Sequence, residues 1–309
     1  MKKDLARRMR YGGFSYPLGV FPEEGFNQRV GYDSKYLKED ECFYYQVALP
    51  HERLMNSLIS LFDVLPGKVY LVLKMHSGDY YQDFDTYISE EIIDRKELVE
   101  WIEQWKDVAL DDGFFGIGMF VENGVEEVFL DEHKTIHVYH SDPDLMEKTL
   151  DELNIEFVMG LDFFWDGAHY HESLPLDDGI YENDYLNAFE CLADRYELYL
   201  DEDDEENTDD EGSPFGINCW KVDIRGYSQE GMDILKHEGF YTTLYLNACS
   251  RQEVVDIVDE YMGEKNERVD LFLRMARVPS ELLTSTMMNK NFDPMDPCVW
   301  FESKRVAIN

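Results

Sequence analysis

Residues 114–140, FFGIGMFVENGVEEVFLDEHKTIHVYH, predict a β-meander and thereby decide the fold class. Asn123 and Gly124 lie between two apolar runs of this stretch, and both residue types tolerate the positive φ that a two-residue hairpin turn needs. A hairpin inside a chain of mixed strands and helices favours an α+β fold over a doubly wound parallel sheet.

Strands and helices are also predicted on the N-terminal side of the meander. Residues 42–49, CFYYQVAL, predict a strand, and Pro50 then suits the first turn of a helix, where its missing N–H costs nothing. Residues 68–75, KVYLVLKM, are almost entirely apolar, which is typical of a strand at a sheet centre or covered on both faces. A second helix is predicted over residues 94–110, with Asp94 as its N-cap.

Further elements are predicted on the C-terminal side. Residues 141–143, Ser-Asp-Pro, indicate a helix start, with Leu145, Leu150 and Leu153 facing inward. Residues 155–161, IEFVMGL, predict one more strand, and residues 183–200 have helical spacing.

An acidic run divides the chain. Asp201 to Glu211 contains nine acids in eleven residues, and like charges at that density repel one another and bury no core. We therefore expect an irregular N-terminal arm, a first α+β domain, an acidic linker and a second α+β domain, at residues 1–36, 37–200, 201–214 and 215–309.

The two halves share a weak internal repeat. FYTTLYL at residues 240–246 matches FYYQVAL at residues 43–49, and VDLFLRM at residues 269–275 matches VYLVLKM at residues 69–75. A helical pattern lies between the two strands in each half. The repeat indicates two α/β sandwich domains of ferredoxin-like kind, with mixed or antiparallel sheets, related by duplication; chance similarity between two strand–helix–strand units is the alternative.

Composition excludes several classes of protein. The chain has 28 Lys and Arg residues against 66 Asp and Glu residues, a formal net charge of -38, so we expect no nucleic-acid binding. Its 20 Tyr and 19 Phe residues argue against disorder. No apolar run approaches the ~20 residues that span a bilayer. The basic N-terminus lacks an apolar secretory segment, so we expect a cytoplasmic location, and the five scattered cysteines predict buried thiols.

The best candidate for a metal site is the segment from Asp162 to Glu172, DFFWDGAHYHE. His169 and His171 are two residues apart, so a strand would point both rings to the same side. Asp162 or Asp166 would supply an oxygen ligand, and two imidazoles with a carboxylate suit zinc or iron. An aromatic loop with surface histidines is the alternative interpretation.

A second group consists of Asp131, His133, His137 and His140. His137 and His140 fall on opposite faces of a strand, so they do not converge without a bulge. We assign no cofactor and no catalytic residue from the sequence.

The charge suggests the leading functional hypothesis. A strongly anionic surface steers cationic partners, which favours a non-enzymatic binding protein for a basic protein, of inhibitor, antitoxin-like or immunity-like kind. The first alternative is a metal-dependent hydrolase that uses Asp166, His169 and His171. The second alternative is a scaffold or assembly subunit, in which the N-terminal arm binds another copy of the chain.

Overall fold

A computed structural model describes residues 8–22, 26–122, 125–176, 179, 181–201, 207–208, 212–228, 239–279, 282–283, 293 and 295–308. The fold is mixed α+β with mostly antiparallel sheets, which confirms the predicted class. The chain divides into two compact units, of which unit 1 comprises Met1–Met75 and Thr86–Tyr199. Unit 2 comprises His76–Asp85 and Leu200–Asn309, so a ten-residue segment from the first half belongs with the second half.

Unit 1 contains five helices and thirteen strands in its described residues. The helices are α1 (His51–Phe62), α2 (Arg95–Gln104), α3 (Lys106–Asp111), α4 (Pro143–Glu152) and α5 (Tyr185–Arg195). The strands are β1 (Arg10–Tyr11), β2 (Phe14–Ser15), β3 (Val20–Pro22), β4 (Gly31–Leu37), β5 (Cys42–Ala48), β6 (Lys68–His76), β7 (Phe84–Ser89), β8 (Ile93–Asp94), β9 (Phe115–Phe120), β10 (Glu127–Leu130), β11 (Ile136–His140), β12 (His169–His171) and β13 (Leu198–Leu200).

The main sheet of unit 1 has the strand order β13-β7-β6-β9-β10-β11-β5-β4, with β8 paired to β6. Strands β9, β10 and β11 pair antiparallel, which confirms the predicted meander. The turn predicted at Asn123 and Gly124 lies outside the described residues. Strand β6 lies inside the sheet, as its apolar composition predicts.

The two faces of this sheet differ in burial. Leu71, Ile117 and Val128 point to one face and are fully buried, and the apolar side of α1 packs against this part of the sheet. The alternating positions on the other face are half-buried polar and aromatic side chains; we call this the open face, and it includes Tyr44, Gln46, Lys74, Glu127, Phe129, His137 and Tyr139.

Three local predictions differ from the structure. The helix expected over residues 94–110 is interrupted at Trp105, whose φ of -100° and ψ of 23° leave the helical region. Its ring stacks on Trp101 with centroids 5.3 Å apart. Residues 155–161 contribute a single parallel bridge, from Phe157 to Tyr32, instead of a strand. Leu145 is exposed, because Met146 and Leu150 form the buried side of α4.

The N-terminal segment also differs from the irregular arm expected over residues 1–36. Its described part forms β1 to β4, and Tyr16 and Val20 are fully buried in a small core with Phe14 and Phe164. Arg8 is buried and forms an ion pair with Asp111. The described part of this segment therefore packs within unit 1, and residues 1–7 lie outside the described part.

Unit 2 is built on a smaller antiparallel sheet. Its elements are β14 (Asn218–Ser228), β15 (Gly239–Ala248), α6 (Arg251–Glu264), β16 (Glu267–Arg277), β17 (Val299–Glu302) and β18 (Val306–Ala307). The strand order is β16-β14-β15-β17, with β18 on β15. Helix α6 packs on β15 and β16 through Val254, Val258 and Met262, which are fully buried with Trp220.

The strand–helix–strand units of the predicted repeat are both present, as β5–α1–β6 and β15–α6–β16. In unit 2 the two strands run parallel on either side of β14, whereas in unit 1 they run parallel with β9, β10 and β11 between them. The ferredoxin-like arrangement needs a second helix, and the described part of unit 2 contains α6 alone. Most of the acidic run from Asp201 to Glu211 lies outside the described residues.

No helix in the described ranges is both long enough and apolar enough to span a membrane.

Candidate metal centre

The turn between β10 and β11 positions His133. Asp131 closes this turn, since its backbone N–H donates to Thr135 O at 3.1 Å and its Oδ1 accepts from Thr135 N at 2.8 Å. Lys134 adopts a positive φ of 63°, and its buried ammonium donates to the carbonyl of Phe115. The turn is therefore fixed on both sides of His133.

Strand β12 carries His169 and His171. It pairs antiparallel with β3, placing His169 opposite Pro22 and His171 opposite Val20. The two rings lie on the same side with centroids 5.2 Å apart, the arrangement that a two-residue spacing on a strand dictates.

His133, on the β10–β11 turn, lies next to both of these histidines of β12. Its ring centroid is 5.0 Å from that of His169 and 4.8 Å from that of His171. One ring nitrogen of each histidine lies within 4.8 Å of the others. The Nε2 atoms of His133 and His169 are 3.1 Å apart.

The Nδ1 atom of each ring faces a hydrogen-bond acceptor. That of His133 is 3.1 Å from Asp131 Oδ2, that of His169 is 2.9 Å from the carbonyl of Gly167, and that of His171 is 2.8 Å from the carbonyl of Gly113. Carbonyl and carboxylate oxygens only accept, so each Nδ1 must donate. In the neutral rings the Nε2 atoms then carry lone pairs, which is the tautomer that binds a metal.

The spacing fits a tetrahedral metal. Zinc–nitrogen bonds of about 2.0–2.1 Å place two imidazole nitrogens about 3.3 Å apart around a tetrahedral ion. The 3.1 Å separation of the His133 and His169 Nε2 atoms is close to that value. Metal-bound histidines usually donate their other N–H to a carboxylate or a carbonyl, which is what Asp131, Gly167 and Gly113 accept here.

The electrostatics favour a neutral His171 ring and an ionised Asp131. Burial lowers the pKa of His171 to about 4, helped by the charges of His133 and His169, so this ring is neutral near pH 7. Burial alone would raise the pKa of Asp131, but the charge of His137 and hydrogen bonds from His133 and His137 hold it well below its usual range. Asp131 is therefore a buried carboxylate anion that supports His133.

The sequence-predicted residues are only partly brought together. Asp166 is exposed, and its Oδ2 accepts a hydrogen bond from Phe163 N at 3.1 Å; Asp162 is also exposed. Within the described residues neither carboxylate joins the group of His133, His169 and His171.

The second predicted group divides. Asp131 joins His133 to His137, whose Nε2 lies 2.8 Å from Asp131 Oδ2 and whose Nδ1 lies 2.6 Å from the hydroxyl of Tyr44. His140 is buried, and its Nδ1 accepts from Asp142 N at 2.9 Å. The sequence places His133 in a different group from His169 and His171, because nothing local indicates that β12 packs beside the β10–β11 turn.

Comparison with family models, with curated proteins and with solved structures finds no match to this chain.

Proposed function

We propose that this chain is a metal-dependent hydrolase whose metal ion, zinc in the first instance, is bound by His133, His169 and His171. The observation that carries the proposal is the convergence of three imidazoles, each with its Nδ1 held by an oxygen acceptor. The charge of the sequence favours a binding protein for a cationic partner. We place the metal-dependent hydrolase first because His133 joins His169 and His171 in one group.

The number of ligands supports a reactive site. Structural zinc sites usually have four protein ligands, whereas catalytic sites have three and keep one position for water. The group of His133, His169 and His171 has three members in the described part of the chain. A bound zinc ion would lower the pKa of its water to about 7 and so supply a nucleophile.

The chain's own residues would hold and orient the ligand rings. Asp131 fixes the orientation of the His133 ring and makes its Nε2 a stronger electron-pair donor to a metal ion. The carbonyls of Gly113 and Gly167 fix the orientations of His171 and His169. Phe164 packs edge-on against both His133 and His169, which shields the rings on one side and limits their rotation.

The test is metal content and affinity. The protein is expressed with zinc, dialysed against chelator-free buffer and analysed by mass spectrometry, and we expect one zinc ion per chain. The variants His169→Gln and His171→Gln should lose it. His76→Gln is the matched control, because His76 Nδ1 also lies against a backbone carbonyl, that of Asp83, at 2.9 Å. Substoichiometric metal in the unaltered protein, or unchanged metal in both site variants, would refute the proposal.

Hydrolysis is tested separately. The zinc-loaded protein should hydrolyse a generic activated ester such as p-nitrophenyl acetate faster than the chelator-treated protein, and His171→Gln should reduce this to the rate of the chelator-treated protein. If the zinc-loaded protein hydrolyses the ester no faster than the chelator-treated protein, the site binds metal but does not catalyse the proposed reaction.

Other expectations from the sequence remain proposals of their own. We propose that the two strand–helix–strand units share an origin, as two ferredoxin-like domains would, which the common β–α–β order supports. A cytoplasmic location and an assembly role for the N-terminus also remain predictions. A cationic partner also remains a prediction.

A further inference from the structure

The open face of unit 1 carries a groove of about 380 Å³ beside the candidate metal centre. We call it the open-face groove, and the side chains that matter to it are Tyr44, Glu127, Phe129, Glu132, Tyr139 and Trp165. His133 and Asp131 also line it, so the groove borders the carboxylate–imidazole pair that supports the metal ligands.

Two glycines make room for this groove. Gly116 and Gly118 occupy the open-face positions of β9, where they pair with Lys74 and Val72 of β6. A Cβ added to Gly118 would lie 2.6 Å from a ring carbon of Phe129, and one added to Gly116 would lie 2.9 Å from another. The Phe129 ring therefore lies flat over the glycine backbone and forms an apolar floor.

Aromatic rings form one wall. Tyr44 and Tyr139 lie side by side on β5 and β11 with centroids 4.7 Å apart. Trp165 is fixed by a hydrogen bond from its Nε1 to Thr135 Oγ1 at 3.1 Å. Aromatic faces of this kind attract cations and pack well against aliphatic stems.

The negative charge within the groove is incompletely matched. Glu127 of β10 pairs directly with Tyr139 of the neighbouring strand β11 and is half-buried. Its carboxylate has no hydrogen bond or ion pair within the described ranges. Burial raises the pKa of Glu127, opposed by the charge of His137. A half-desolvated carboxylate between aromatic rings gains most from a cationic donor.

Glu132 provides an independent observation. It is 5% exposed, and its Oε1 accepts from Lys74 Nζ at 3.0 Å. Its Oε2 is buried and has no hydrogen-bond partner in the part of the chain that the structure describes. A buried carboxylate oxygen left without a donor costs free energy, so a donor entering from the groove after a small side-chain shift would be favoured.

We infer that the open-face groove binds a ligand that carries a protonated amine or a guanidinium group on an aliphatic stem, with Glu127 as its counter-ion and Phe129 and Tyr139 against the stem. The net charge of -38 adds long-range attraction for such a ligand. To call this ligand the substrate rests on the proposed function, because among the described residues His133 is the metal ligand that lines the groove. The binding itself does not rest on the proposed function.

The experiment is calorimetric titration with four probes: Nα-acetyl-lysine amide, Nα-acetyl-arginine amide, Nα-acetyl-norleucine amide, which has the four-carbon stem of lysine without its ammonium group, and maltose, an uncharged polar ligand. We expect the two cationic probes to bind at least about tenfold more tightly than the norleucine probe, the ratio that a partly desolvated ion pair of roughly 1.4 kcal/mol gives. Equal binding of the three amides, or tighter binding of maltose, would overturn the inference.

Variants locate the site. Glu127→Gln should remove the tenfold preference, while Glu156→Gln, the same charge change at an exposed position, should leave it intact. Tyr139→Leu should weaken the cationic probes and Tyr139→Phe should not, which tests the aromatic wall without touching the charge. A preference that survives Glu127→Gln in a folded protein contradicts the assignment.

Zinc content is measured in the same samples. Stoichiometric zinc without selective binding refutes this inference alone, and selective binding without zinc refutes the proposed function alone.

Discussion

His133 and His169 face each other through their Nε2 atoms, which lie 3.1 Å apart, while the opposite nitrogen of each ring faces an oxygen acceptor. Two imidazole lone pairs at this distance repel each other unless a proton or a metal ion lies between them. The two histidines are 36 residues apart in the chain, and the β10–β11 turn and β12 bring them together. The pair is therefore arranged for a cation.

The first prediction concerns stability with metal. Zinc at 100 times its dissociation constant should raise the free energy of unfolding by about 2.7 kcal/mol, because the ion binds the folded site and not the separated histidines. The measurement is thermal unfolding with and without zinc. Magnesium should give no shift, since it prefers oxygen ligands. His169→Gln should abolish the zinc effect; a shift that persists in this variant would place the ion elsewhere.

The second prediction concerns Asp131 as the support of His133. In Asp131→Asn the amide can donate to His133 Nδ1, which favours a proton on Nε2 and removes the lone pair that binds metal. We expect zinc affinity to fall about 10- to 100-fold, as it does when other hydrogen-bond partners of metal ligands are changed. Chelator competition measures it. Asp162→Asn, which changes an exposed carboxylate on the same segment as His169 and His171, should leave affinity unchanged. A loss of affinity in this variant would indicate that Asp162 is a ligand.

The third prediction concerns a close backbone approach that positions His171. A Cβ at Gly113 would lie 2.0 Å from the carbonyl oxygen of Gly19, and a Cβ at Gly19 would lie 2.3 Å from that of Glu172. Gly113→Ala should therefore separate these segments and move the carbonyl that holds His171 Nδ1. We expect zinc affinity to fall although no ligand changes. Gly167→Ala is the control, since its Cβ would meet its nearest neighbour at 3.6 Å.

Near-native zinc binding by Gly113→Ala, with unfolding unchanged, would mean that the backbone contact does not set the position of His171.

Local signals explain what the sequence predicted well. The meander, the helix caps at Asp94 and Asp142, and the His169–His171 pair all depend on residues within a few positions of one another. The break at Trp105 was missed because the apolar spacing continues through it, while ring stacking on Trp101 favours a different backbone.

Long-range packing explains what the sequence could not predict. His133 joins His169 and His171 only because β12 pairs with β3 and the Gly19–Gly113–Glu172 contact holds β12 in place. The sequence predicts Asp162 or Asp166 as an oxygen ligand, but the 3-10 turn at Phe164–Asp166 directs the Asp166 carboxylate to Phe163 N. Neither the packing of β12 nor the direction of the Asp166 carboxylate has a signature within a short window of sequence.

The fourth prediction concerns a buried ion pair in unit 2. Arg277 Nε lies 2.9 Å from Asp79 Oδ2, and both side chains are at most 3% exposed. The Arg277 guanidinium also lies over the rings of Tyr81 and Phe215, 5.2 Å from each centroid. Arg277→Met should cost about 3–5 kcal/mol, because it leaves a buried carboxylate without its counter-ion. Lys221→Met, which breaks a half-exposed pair on the same sheet, should cost less than about 1 kcal/mol.

The double variant Asp79→Asn with Arg277→Met isolates the interaction. Its loss of stability in urea unfolding should be smaller than the sum of the two single losses by about 1–3 kcal/mol. Strict additivity would show that residues 76–85 are held in unit 2 by contacts other than this pair.

The fifth prediction concerns acid unfolding and Asp111. Burial alone would raise the pKa of Asp111, but the charge of the nearby His51 and the hydrogen-bonded guanidinium of Arg8 lower it from 3.8 to about 2. A carboxyl with a lowered folded pKa stabilises the protein fully above its unfolded pKa, and this stabilisation is lost as pH falls through the folded value. We therefore expect about 2 kcal/mol of pH-dependent stability from Asp111, lost between about pH 4 and pH 2. In Asp111→Asn that contribution is absent, so the stability deficit of this variant relative to the unaltered protein should shrink by this amount over the same interval.

Asp107→Asn, which changes an exposed carboxylate on the same helix α3, controls for the change in net charge. Urea unfolding at closely spaced pH values measures the difference, and a deficit that stays constant from pH 5 to pH 2 would show that the Arg8 and His51 contacts do not lower the pKa of Asp111.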